Sequence, residues 1–139
     1  MKIYFTGSVG GGRGDCALYF ELIQHLKKFG QVLTEHIGDC NISHLGETNL
    51  PTEKIHDRDR AWLKEADVLI AEISTPSLGV GYELGKAEEW EKKNLCLYRL
   101  QDNKRVSNMI KGSKFFNIQE YNNLDEAFKY IDDFFKEIK

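Results

Sequence analysis

Short apolar runs alternate along the chain with longer stretches in which apolar residues recur every three or four positions. Ile3-Tyr4-Phe5 reads as a strand, and Leu18, Leu22, Ile23 and Leu26 form one stripe of a helix over about residues 15–29. Gly30 looks like that helix's C′ stop. Val32-Leu33-Thr34 makes a second strand, and residues 37–54 form a long polar loop. A helix over residues 55–63 turns Ile55, Trp62 and Leu63 inward, and the run 68–72 is a buried strand. A helix-like segment over 86–93, a strand over 95–100, a brief helix over 106–112 and a strand over 115–118 follow. The last helix, 124–138, carries Phe128, Ile131, Phe134 and Phe135 on one face with charges opposite. This alternation predicts a single α/β domain over 1–139, a doubly wound five-stranded parallel sheet with helices on both faces. In the flavodoxin- or Rossmann-like order 2-1-3-4-5, strands one and three are neighbours at the switch point.

Composition changes this picture little. With 139 residues, 41% hydrophobic and 29% charged, the chain suits one globular domain. A net charge of −3 gives no support for nucleic-acid binding, and no apolar run reaches membrane-spanning length. Cys16, Cys40 and Cys96 are an odd number without a C-x-x-C pair. We therefore expect no disulfide framework and a reduced, intracellular, cytoplasmic protein without a signal peptide.

Chemistry gathers at two turns. Gly7-Ser8-Val9-Gly10-Gly11-Gly12-Arg13-Gly14 follows the first strand and precedes a helix, which suits a phosphate-sized anion over Ser8 to Gly12. It matches neither the P-loop nor the G-x-G-x-x-G spacing. Ser74 to Gly85 follows the third strand, placing Ser77, the N–H groups of Gly79 and Val80, and Glu83 at a helix start, where the dipole favours an ionised carboxylate. Asp59 shares a helix face with Ile55 and Leu63, so it points toward the sheet or serves its own helix dipole. The switch point brings both turns together around Tyr4, Asp59 and Glu83. Two carboxylates beside an anion cradle suit glycosidic cleavage through an oxocarbenium-like transition state. His36, Asp39, Cys40 and His44 match no common zinc spacing, so no metal and no organic cofactor is expected.

Ile3-Tyr4-Phe5-Thr6-Gly7-Ser8, Gly11-Gly12-Arg13, Val32 to His36, His56 with Asp59 and Trp62-Leu63, and above all Pro76 to Gly85, resemble the nucleoside 2-deoxyribosyltransferase superfamily. Within it the chain is most similar to the 2′-deoxynucleoside 5′-monophosphate N-glycosidases, and Ser107-x-Met109-Ile110 continues the likeness. The resemblance implies Glu83 as nucleophile toward C1′ of the deoxyribose, with Asp59 positioning the sugar and protonating the leaving base. It implies Tyr4 as the residue orienting Glu83 or the sugar. Gly7, Ser8, Val9, Gly10, Gly11, Gly12 and Arg13, with Ser77 and Gly79, would hold the substrate and its 5′-phosphate. It also implies a homodimer in which Ser107 and Met109 enter the neighbouring subunit's site.

Two positions separate branches of that family. Transferases acting on free nucleosides carry Asp at the Ser77 position and Asn at the Ser107 position. Serine at both can donate to a phosphate dianion that an Asp would repel, which favours a nucleotide substrate. Gly10 stands where the related hydrolases carry Arg, and Arg13 is the candidate replacement. Ribonucleotide N-glycosidases share most of these motifs, and a non-catalytic nucleotide sensor on the same fold is the alternative from another class.

Overall fold

The computed structural model describes residues 1–9, 15–42 and 46–138, and in them strands and helices alternate. β1 (Lys2–Thr6) leads to α1 (Cys16–Leu26), β2 (Gln31–Val32), a 3-10 turn at Glu35–Gly38, α2 (Thr52–Glu65) and β3 (Val68–Glu72). Then come α3 (Leu78–Glu89), β4 (Lys93–Arg99), α4 (Asn108–Lys111), β5 (Ile118–Tyr121) and α5 (Leu124–Glu137). Every pairing is parallel in the order β2-β1-β3-β4-β5, the doubly wound arrangement expected from the sequence.

Alternation along the strands sorts the core into two layers. Ile3, Phe5, Val68, Ile70, Leu95 and Leu97 pack with residues of α1 and α5. Tyr4, Leu69, Ala71 and Cys96 pack on the other face with Leu63 of α2 and Val80, Leu84 and Ala87 of α3. The parity of β1 thus puts Tyr4 on the α2–α3 face, and Thr6, two residues on, looks the same way. In α5, Ile131, Phe134 and Phe135 are buried as expected, and Phe128 stacks on His25 with ring centroids 4.2 Å apart.

Several boundaries differ from the sequence pattern, each for a local reason. β2 stops at Val32, because Thr34 uses its side chain where a strand would use its backbone. Thr34 Oγ1 accepts from the Phe5 N–H (2.9 Å) and donates to the Phe5 carbonyl (2.5 Å). Gly30 is not in left-handed backbone; a Cβ there would lie 2.2 Å from the Met1 carbonyl oxygen, so close passage of the N-terminus is what requires glycine. The expected strand over 115–118 is shifted to Ile118–Tyr121. Asn94 holds the approach, donating to the Phe115 carbonyl and accepting from the Asn117 N–H, and only then does the edge ladder start at Cys96↔Ile118.

The cysteines overturn one expectation outright. Cys16 and Cys40 form a disulfide, with Cα atoms 5.4 Å apart, while Cys96 is free and buried. The partners are 24 positions apart in sequence. They meet because the 3-10 turn packs on α1, with Gly38 against Phe20 and Ile23. The inference of a reducing compartment from cysteine usage loses its support. No helix among the described residues is long and apolar enough to cross a membrane.

Candidate active site

At the carboxyl ends of β1 and β3 lies a cavity of about 660 Å³. Its walls come from the end of β1 (Thr6, Gly7, Val9), the start of α3 (Ser77, Leu78, Gly79), Asp59 and Ile55 of α2, and from His36, Ile37, Ile42, Gly46 and Glu47. The register Tyr4↔Leu69 and Thr6↔Ala71 holds β1 beside β3, so Gly7 and Val9 after β1 line the same cavity as Ser77 to Gly79 after β3.

α3 starts at Leu78, well before the 86–93 segment that sequence alone suggested. Glycines at 79, 81 and 85 disguise the helix. Gly81 and Gly85 face open space, so their missing side chains cost propensity, not packing. Ser77 caps this helix, its Oγ accepting from the Val80 N–H at 3.4 Å. The N–H groups of Leu78 and Gly79 precede the first intrahelical bonds and lie at the cavity wall, ready for an anion.

Glu83, on the second turn of α3, accepts hydrogen bonds from the Tyr4 hydroxyl and from Thr6 Oγ1, the latter at 3.1 Å. Burial pushes its carboxyl up to about 7, the two donors hold it down, and the neighbouring Asp59 charge raises it further. The Tyr4 hydroxyl is driven far above its ordinary value by burial and by Glu83, so it stays a donor. Asp59 is also raised, chiefly by burial, and Arg58 opposes that shift. Asp57, its neighbour in sequence, is exposed. Periodicity had left Asp59 open between a core-facing and a helix-end role; it faces the cavity with Glu83.

The other expected site residues fall in three groups. Gly7, Val9, Ser77 and Gly79 line the cavity. Ser8 is fully buried behind its neighbours, and its hydroxyl has no hydrogen-bond partner among the described residues. Gly10, Gly11, Gly12 and Arg13 lie outside the described residues, as does His44. Ser107 and Met109 do not reach this cavity. Ser107 caps α4 through the Met109 N–H, and both line a separate groove whose far wall is Pro76, Ser77 and Leu78. Leu78 and Met109 are 97% and 82% exposed there.

Sequence reading passed over three participants. Thr6 was detectable by strand parity with Tyr4. Arg58 was adjacent to a candidate, and its side chain spans Asp59 (3.0 Å) and Glu47 (3.1 and 2.5 Å) while lying 4.7 Å over the Trp62 ring. Glu47, in the long polar loop, carried no local signal. His36 pairs with Glu47 at 2.8 Å and Cys40 is in the disulfide, so these two are engaged elsewhere than in a metal cluster. Among the described residues no group of three His, Cys, Asp or Glu side chains is placed to hold a metal ion.

Chemically, the cavity joins two carboxylates that both hold a proton more firmly than usual, one of them accepting from two donors, and a helix N-terminus. That set fits displacement at an anomeric carbon next to an anionic group.

Comparison with known proteins bears on the family. The family model described as nucleoside 2-deoxyribosyltransferase matches residues 3–126. A 5-hydroxymethyl-dUMP N-hydrolase of Tetraodon nigroviridis is 44% identical over 143 residues, covering all of both chains. A Trichoplax adhaerens protein provisionally named 2′-deoxynucleoside 5′-phosphate N-hydrolase 1 is 48% identical over 137 residues, 96% of this chain and 92% of that one. Among solved structures, the CMP N-glycosidase BcmB of Clostridium botulinum superposes with a TM-score of 0.71 over 95% of this chain and 98% of its own, at 20% identity, a likeness of fold. With its matched span and near full-length relatives, the chain belongs to the nucleoside 2-deoxyribosyltransferase family.

Proposed function

We propose that this protein hydrolyses the N-glycosidic bond of 2′-deoxynucleoside 5′-monophosphates, releasing free base and 2-deoxyribose 5-phosphate. The observation that carries the reading is the carboxylate pair in one cavity, Glu83 held by Tyr4 and Thr6 and Asp59 raised by burial. The names of the Tetraodon and Trichoplax relatives support the reaction class.

In the first step the Glu83 carboxylate attacks C1′ as the C1′–N bond breaks. The bonding pair leaves with the base, and Asp59 supplies the proton that neutralises it. In the second step water attacks C1′, its proton passes to Asp59, and Glu83 is released as the carboxylate. Tyr4 and Thr6 stabilise the ionised nucleophile by donating to it. Before substrate binds, the two carboxylates titrate as a coupled pair, and the competent form carries one proton and one charge.

The 5′-phosphate sits at the α3 N-terminus on the N–H groups of Leu78 and Gly79 and the Ser77 hydroxyl. Ser77 spends an acceptor lone pair on its cap, so its O–H remains to donate. A second subunit completes the site. The groove beside Ser77 bears Ser107, and its two exposed apolar side chains, Leu78 and Met109, suit burial against a copy of the same face. A cytoplasmic setting would suit a nucleotide substrate, and there the Cys16–Cys40 pair would stand reduced.

The test is a chromatographic assay with 5-hydroxymethyl-dUMP, dGMP, GMP and deoxyguanosine in parallel, with Glu83→Ala as control. Base released from the deoxynucleotides alone, and lost in the variant, is the expected result. Release from deoxyguanosine, or exchange onto an added base, would move the protein to the transferase branch. Release from GMP alone would move it to ribonucleotides. Silence on all four would leave a nucleotide-binding protein.

A further inference from the structure

Arg58 is heavily engaged beside the cavity, and the proposed reaction gives it no role. Its Nε donates to Asp59 Oδ1 at 3.0 Å, and its two terminal nitrogens grip Glu47 at 3.1 and 2.5 Å. The guanidinium lies 4.7 Å from the centre of the Trp62 ring, which fixes its plane. Glu47 accepts a further contact from His36 at 2.8 Å. Just before it, Gly46 sits in left-handed backbone (φ 78°), turning the loop beside Val9. One cation is therefore shared between a carboxylate of the cavity floor and a carboxylate of the loop above it.

We propose that Arg58 and Glu47 form a charge bridge that sets how firmly Asp59 holds its proton, and that they do so in opposite directions. Arg58 beside Asp59 favours the ionised form. Glu47 neutralises the guanidinium and adds its own negative charge, and both effects favour the protonated form. With Glu47 in place, Asp59 is released from the full pull of its neighbour and can act as an acid. Arg58 and Glu47 are positioning residues; the proton transfer itself belongs to Asp59 as assigned above, and the inference rests on that reading.

Other groups also face Asp59, and the test must separate them. Tyr4 and Glu83 face it across the cavity, His36 stands behind Glu47, and His56, Arg60, Tyr82 and Lys86 share a small cavity on its other side. Arg60 and Lys86 lie over Trp90, at 5.1 and 5.8 Å from its ring centre. His36 touches both Glu47 and Arg58 and would shift in the same opposite senses, so the reading is taken at the Asp59 carboxyl carbon itself.

The experiment follows the Asp59 carboxyl carbon by NMR through a pH titration of the whole protein, without substrate, in wild type, Glu47→Gln, Arg58→Gln and Arg58→Lys. The midpoint is expected to fall by about one pH unit in Glu47→Gln and to rise by about one in Arg58→Gln. Arg58→Lys, which keeps the charge but loses the two-pronged grip, is expected to stay within about half a unit of wild type. Shifts in the same direction for Glu47→Gln and Arg58→Gln, or no shift in either, would overturn the bridge. The alkaline limb of the kcat/KM profile, which reports the free enzyme, is then measured in the same variants and should move with the NMR midpoint. If the midpoint moves as stated and the rate profile does not, the bridge stands and Asp59 is not the proton donor.

Discussion

Glu83 shows what a single residue contributes and costs. Burial raises its carboxyl from an ordinary 4.5 to about 7, so the folded chain binds that proton more tightly than the unfolded chain does. The stability this group contributes is full below pH 4.5 and is lost as pH rises through about 7. Glu83→Gln is therefore expected to be more stable than wild type at pH 8, by up to about 3 kcal/mol. The gap should close as the pH falls to 4.5. Urea denaturation at the two pH values checks this, and equal stability at pH 8 would show that the carboxylate is not held against its solvation. Such a cost is the pattern expected where function, not stability, selects the residue.

Single elements place these groups through a few side-chain bonds. β1 projects Tyr4 and Thr6 onto the α2–α3 face because of its parity, and it is held to the chain after β2 by the two Thr34 bonds. Thr34→Val keeps the volume but leaves the Phe5 N–H and carbonyl without that partner, at an expected cost of about 3 kcal/mol in chemical denaturation. Thr34→Ser should retain most of the stability. If valine and serine behaved alike, the side-chain bonds would not be what ends β2. α3 illustrates the opposite case, a helix started by Ser77 despite three glycines, since its inward face still offers Val80, Leu84 and Ala87 to the core.

At the scale of the whole molecule, the proposed completion of the site by a second copy rests on the groove lined by Leu78 and Met109. Dimerisation through this face is expected to give twice the chain mass in sedimentation equilibrium. Met109→Lys should shift the equilibrium toward the single chain and reduce turnover in parallel. A wild-type protein that is fully active as a single chain would refute the shared site. The disulfide acts at the same scale, joining the start of α1 to Cys40, which lies between the cavity-lining residues Ile37 and Ile42.

Much of this architecture is encoded locally. Apolar periodicity carries the strand–helix alternation, and alternation with parallel strands carries the sheet order, so the meeting of the two turns follows from the chain itself. The Pro76–Gly85 block and the i, i+4 spacing of Ile55, Asp59 and Leu63 put both carboxylates within reach of inference. Boundaries were less legible where a side chain stands in for backbone, as at Thr34, or where glycines mask a capped helix, as in α3. Tertiary structure alone decided the rest. The Cys16–Cys40 bond, the Thr6 donor to Glu83 and the Arg58 bridge to Glu47 all join segments distant in sequence. No local pattern records such contacts, because proximity and burial, which set both the bonds and the proton affinities, exist only once the chain has closed on itself.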